Sequence, residues 1–143
     1  MAEIKIKYHN KSIDKIQKIT KGDWIDLRAA ETVKLKAGEF RLVSLGISMQ
    51  LPEGYEALIA PRSSTFKRWG ILQPNSPGVV DNSYCGDDDI WQMPVYATRN
   101  TVIEENDRIC QFRIQEKMPD VTFTEVDTLG NDSRGGFGTT GKE

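Results

Sequence analysis

The side chains best suited to chemistry fall in four short stretches. A-P-R-S-S-T places Arg62 beside Ser63 and Ser64. Arginine offers a planar fork of N–H donors that matches phosphate or carboxylate, and the hydroxyls and the amides of a helical start extend that donor set. The same residues also fit a plain helix N-cap after a proline turn. N-S-P-G-V-V-D-N-S-Y-C-G-D, residues 75–87, sets Asp81 directly after two β-branched residues. That is a strand end, where a carboxylate can be partly buried and oriented, and Tyr84 can turn its ring toward the same cleft. An ionised carboxylate there can activate water beside a bound anion; the alternative is an ordinary turn aspartate. E-N-D-R-I-C-Q-F-R-I brings Arg108 and Gln111. Strand parity sends them to opposite faces, so that one ties the fold together while the other faces a ligand. R-G-G-F-G-T-T-G-K-E supplies Arg134, Phe137, the hydroxyls of Thr139 and Thr140, and a glycine-rich backbone around Gly138 with N–H groups to offer.

Two patterns look like sites and are not read as such. Asp87, Asp88 and Asp89 resemble a cation site, but successive residues of a strand or loop cannot converge on one ion, and a solvated loop explains them. From Gly136 the chain reads G-F-G-T-T-G-K-E, where a P-loop would place Ser or Thr at Glu143. A P-loop also needs a strand before it and a helix after it, and the sequence stops here.

Composition narrows the chemistry. A single histidine, His9, lies in a polar stretch and reads as an ordinary exposed residue. Cys85 and Cys110 have no C-x-x-C spacing and read as reduced bystanders. Histidine-rich zinc sites, Ser-His-Asp triads and the H-x-E…P-C-x-x-C deaminase signature are thereby set aside. A net charge of −2 argues against a broad basic face for nucleic acid. No apolar run reaches the length of a membrane span, and the start M-A-E-I-K-I-K lacks a signal-peptide core, so the expected setting is cytoplasmic.

The elements that must position these residues are short and alternating. Ile4, Ile6 and Tyr8; Val33 and Leu35; and Ile47, Met49 and Leu51 each alternate with other residues. Segments 40–45, 55–59, 91–96, 108–114 and 121–126 are further strand candidates, with turn chemistry between them. This predicts an all-β sandwich or barrel. Helix is confined to one or two turns within 63–70, N-capped by a hydroxyl, although Ile13, Ile16 and Ile19 also have helical spacing. The 143 residues fit one domain, 1–126, followed by a glycine-rich arm, 127–143, too poor in apolar residues to hold itself down.

Together these stretches resemble the trimeric dUTP diphosphatase (dUTPase) family over about residues 22–141. The five family motifs look like G-D-W-I-D-L-R-A-A-E around Asp26, P-R-S-S, G-V-V-D-N-S-Y-C-G-D, N-D-R-I-C-Q, and R-G-G-F-G-T-T-G. The resemblance implies hydrolysis of dUTP to dUMP and pyrophosphate, which limits uracil in DNA and supplies dUMP for thymidylate synthesis. It gives Asp81 the water that attacks the α-phosphorus and Ser63 the charge on the leaving pyrophosphate. Arg62 supports the phosphates with Ser64 beside it, and Gln111 lines the site. Asn75 and the backbone at Gly78, Val79 and Val80 would read uracil, and Tyr84 would stack on the deoxyribose and exclude a 2′-hydroxyl. Mg²⁺ would come on the triphosphate with no direct protein ligand, Asp26 reaching only its waters. The family implies a β-barrel of jelly-roll kind and a homotrimer with shared sites, each closed by a neighbour's arm through Arg134, Phe137, Gly138, Thr139 and Thr140, and neither nucleic acid nor membrane as partner. Members typically read R-G-x-G-G-F-G-S-T-G, two residues longer between the arginine and the phenylalanine than this chain. Either Phe137 or another aromatic such as Trp91 would then cover the uracil. The rival readings are a dCTP deaminase of the same fold, whose T-L-E stretch is missing after Gly86, and a viral regulatory or binding protein on this scaffold.

Overall fold

A computed structural model describes residues 1–17 and 21–136. The described residues form eleven strands and one short helix: β1 (Lys5–Tyr8), β2 (Ile25–Arg28), β3 (Val33–Leu35), β4 (Phe40–Ser44), β5 (Ile47–Gln50), β6 (Tyr55–Pro61), α1 (Thr65–Trp69), β7 (Ile71–Leu72), β8 (Gly78–Val80), β9 (Gln92–Ala97), β10 (Thr101–Ile103) and β11 (Arg108–Glu116). The all-β expectation holds. No helix among them is long and apolar enough to cross a membrane.

Period-two patterning accounts for most of the sheet. In β9, Met93, Val95 and Ala97 are buried while Gln92 and Tyr96 face out; in β3, Val33 and Leu35 flank exposed Lys34. The strands pair antiparallel in small sheets, ordered β1-β5, β10-β3, β2-β11-β6-β8 and β4-β9-β7. Their inner faces enclose one core, where Trp91 meets Phe112 edge-on with ring centroids 5.4 Å apart. The longest strand, β11, lies between β2 and β6, and β8 occupies the sheet edge.

Four local expectations are corrected. Segment 121–126 is not a strand: Val121, Phe123 and Val126 are exposed and no sheet edge receives them. Residues 13–17 form no helix; Ile13 is buried and the backbone N–H of Asp14 donates to Asn106 Oδ1 at 2.8 Å, while Ile19 lies outside the described residues. His9 is half-buried, its Nε2 2.9 Å from the Oγ of buried Ser48, which in turn donates to the Asp89 carbonyl. The predicted helix does form, with Ser64 at the N-cap position, but no side chain caps it. Its far end is closed by Gly70 in the left-handed region (φ 65°), where a Cβ would press within 2.9 Å of Arg99.

Candidate functional site

The functional side chains gather in two places. The first surrounds the turn that leaves β6. Pro61 ends the strand, and the backbone N–H of Arg62 donates to Thr65 Oγ1 at 2.8 Å. The Thr65 hydroxyl, fully buried, donates in turn to the Ile109 carbonyl at 3.0 Å, tying the turn to β11. Arg62 is thereby aimed at β2: its Nε lies 2.9 Å from Asp26 Oδ1, and its Nη1 donates to the Arg108 carbonyl. Arg108 reaches the other carboxylate oxygen of Asp26 at 3.3 Å. Gln111 faces Asp26 across the β2–β11 ladder and donates to the Pro61 carbonyl.

Arg108 and Gln111 therefore act on one cluster, against the parity expectation. A register shift between Arg108 and Cys110 inserts a residue, so Ile109 and Cys110 both turn inward and the alternation restarts. The cluster holds two guanidiniums against one carboxylate, an uncompensated positive charge that suits a phosphate. Ser63 is exposed and Ser64 half-buried at the same turn. Cys110 lies just behind; burial first, then the Asp26 charge, pushes its thiol above the ordinary range and keeps it unreactive.

The second place is built on β8. Gly78, Val79 and Val80 pair with Ile59, Leu58 and Ala57 of β6. Asp81 follows at the open end of this edge strand, so it is exposed, not partly buried as expected. It is nonetheless oriented: both the N–H and the hydroxyl of Ser83 donate to Oδ2, the N–H at 2.8 Å. These bonds hold its carboxyl below the ordinary value, Lys117 adding a smaller attraction. Asn82 anchors the turn by donating to the Pro52 and Tyr55 carbonyls at 2.9 and 2.8 Å. The Tyr84 hydroxyl donates to the Ile90 carbonyl, leaving the ring part-exposed.

Asn75, Gly78, Val79, Val80, Asp81 and Tyr84 line one cleft of about 400 Å³, with Leu42 and Pro94 opposite. Trp91 belongs to its inner wall but is 1% exposed and packed on Phe112, so its ring is committed to the core and does not serve as a cover. Asp87 and Asp88 are exposed loop residues.

The two groups do not meet within the chain. Val80 pairs with Ala57, whereas Arg62 follows Pro61 at the far end of β6. Arg134 is exposed in a stretch, 117–136, without helix or strand. Phe137, Gly138, Thr139 and Thr140 lie outside the described residues. Sequence reasoning missed Thr65, Asn82 and Ser83. Only Ser83 left a signal, as the D-x-S of an Asx turn.

An all-β chain with this arginine turn, this carboxylate turn and this order of elements belongs to the dUTPase family, whose model matches residues 24–141. The chain is 59% identical over 139 residues to the SPbeta prophage-derived deoxyuridine 5′-triphosphate nucleotidohydrolase YosS of Bacillus subtilis, covering 97% of this chain and 98% of that one. It is 38% identical over 147 residues to the deoxyuridine 5′-triphosphate nucleotidohydrolase of Neorickettsia sennetsu, covering 99% and 97%. Among solved structures, a Staphylococcus bacteriophage 80alpha dUTPase variant with dUpNHpp aligns at a TM-score of 0.78 and 18% identity over 96% of this chain and 98% of that one.

Proposed function

We propose that the chain hydrolyses dUTP to dUMP and pyrophosphate by water attack on the α-phosphorus, between copies of itself in a homotrimer. The observation that carries the reading is the Asp81 carboxylate, fixed by Ser83 at the rim of the cleft formed by Asn75 and Gly78–Val80. The base enters that cleft and the deoxyribose rests on Tyr84. Asp81, ionised at neutral pH as an exposed carboxylate is and held so to lower pH by Ser83, accepts a hydrogen bond from the attacking water and orients it.

The triphosphate needs positive charge that the cleft lacks. The Asp26–Arg62–Arg108 cluster supplies it, with Ser63, Ser64 and Gln111 alongside, and its place at the other end of β6 from the strand residue before Asp81 supports its coming from a neighbouring copy. The outer face of β4, β9 and β7 supports association: Phe40 pairs with Tyr96, which pairs with Leu72, and all three are exposed. Residues 127–143 act as the arm of a third copy, bringing Arg134 to the phosphates and Phe137, Gly138, Thr139 and Thr140 over the substrate.

Mg²⁺ would come as part of the substrate, on its phosphate oxygens, and would supply charge neutralisation to the leaving pyrophosphate. The carboxylate of the cluster, Asp26, fits such an ion as an outer contact, since its two oxygens are already engaged by Arg62 and Arg108. Asp26, already facing two guanidiniums, contributes an outer contact to the ion's waters. The activity is placed in the cytoplasm, where it keeps uracil out of DNA and supplies dUMP for thymidylate synthesis.

The test is pyrophosphate release from dUTP and Mg²⁺ by pure protein. Release with dUTP and little with dCTP or UTP is expected. Absence of pyrophosphate would refute the reading, and ammonia from dCTP would replace it with a deaminase.

A further inference from the structure

The wall of the cleft contains an acceptor and a donor that the protein leaves unpaired. Gln73 follows β7, where Ile71 is buried and Leu72 exposed, so parity sends its side chain toward the core. It is 6% exposed, a polar residue in a place an aliphatic one would fill. Its Nε2 donates to the Ile59 carbonyl at 2.9 Å, which fixes the orientation of the amide. Oε1 is thus left as the free half, and it has no partner among the described residues. Trp91, in the wall of the same cleft, has a buried Nε1–H that is also without a partner there. A buried unpaired group is costly, and a core retains one where something else satisfies it.

Gly78 shows how close this amide lies to the base-reading strand. Gly78 pairs with Ile59, the residue that anchors Gln73. A Cβ on Gly78 would lie 3.1 Å from Gln73 Nε2 and 3.5 Å from Asn75 Nδ2, so the two amides adjoin over the same glycine. Asn75 is exposed beside it, and Gln73 itself belongs to the lining of the cleft.

We propose that Gln73 is a specificity-determining residue for the base, resting on the reading of this cleft as the base pocket. With its donor half spent on Ile59, it offers only an acceptor. A pyrimidine whose ring nitrogen carries hydrogen satisfies Oε1, and the carbonyl beside that nitrogen takes the Trp91 N–H. Uracil has this N–H and C=O edge. Cytosine presents a lone pair at that nitrogen and an amino group in place of the C4 carbonyl, which sets acceptor against acceptor and donor against donor and leaves both protein groups unpaired.

The test is the dissociation constant of dUMP and of dCMP for the full-length protein and for Gln73→Met, a substitution that keeps the volume and removes the amide. The proposal expects dUMP affinity to fall about 10-fold and dCMP affinity to change little, narrowing the ratio by about that factor. Gln73→Asn, which withdraws the amide by one methylene, must narrow the same ratio and serves if the Met variant does not fold. In the unaltered protein the Gln73 side-chain amide resonances, assigned by contacts to Ile59 and Gly78, must move with dUMP and not with dCMP. An unchanged ratio in the folded variants, or amide resonances indifferent to dUMP, overturns the proposal. Val79→Trp, which blocks the cleft, separates this from a failure of the underlying reading. If it leaves dUMP affinity intact, the cleft is not the base pocket at all.

Discussion

Strand β6 holds Asp81 and Arg62 apart: Val80 pairs with Ala57, and Arg62 comes five residues later, beyond Pro61. At about 3.3 Å per residue the offset along the strand is roughly 16 Å, more than an arginine side chain spans. The Asp81 carboxylate and the Arg62 guanidinium thus sit toward opposite ends of β6. On the proposed function each chain presents two half-sites, and a whole site needs a second copy.

Asp81→Asn removes the charge that orients water and keeps the shape of the turn. Turnover should fall about 10²–10⁴-fold, the usual span for a positioned base, while calorimetry finds dUTP affinity largely kept. Loss of binding in parallel with turnover would take that role from Asp81.

Ser83→Ala tests the tuning of the same group. The Asp81 carboxyl lies below its ordinary value of 3.8 because Ser83 donates to it twice. A depressed carboxylate contributes stability that is present above its unfolded pKa and lost as pH falls through the folded one. Removing the hydroxyl raises the folded pKa, so the acid limb of kcat/KM should move to higher pH. An unmoved limb would mean that Asp81 is not the titrating group.

Thr65→Val deletes the hydroxyl that joins the Arg62 turn to Ile109. The buried Ile109 carbonyl and the part-buried Arg62 N–H lose their partner, a cost of about 1–3 kcal/mol read as a lower Tm. kcat/KM should fall with it as Arg62 loosens, and Thr65→Ser should restore both. A Val variant with unaltered Tm and rate would deny Thr65 its positioning role.

Truncation before Arg134 should cut kcat/KM by about 10²-fold or more through the loss of phosphate contacts, and leave Tm in place. Of the residues removed, the described ones, 134–136, lie outside the core and Arg134 is exposed, so the cut takes little packing from the described fold. A marked fall in Tm would show that the arm is part of the folded body.

The sequence displayed the strands whose two faces differ, such as Val33–Leu35 and Gln92–Ala97, because alternation is written directly into them. It misjudged Arg108 and Gln111, since parity fails across a bulge and Ile109-Cys110 gives no sign of one. It read Val121–Val126 as a strand from composition, but a strand also needs an edge, and pairing is a property of the whole fold. The chemistry-bearing types were visible as motifs. Their partition into two half-sites was not, because it depends on which end of β6 each one joins.

Co-expression of Asp81→Asn chains with Arg62→Ala chains tests the shared site most directly. Each variant alone is inactive, yet a mixed trimer contains sites whose Asp81 comes from one chain and whose Arg62 comes from the other, both intact. The account predicts recovery of about one quarter of the unaltered activity at random mixing, with pyrophosphate release as the readout. Mixed trimers, verified by differential tags, that stay as inactive as either variant alone would contradict it.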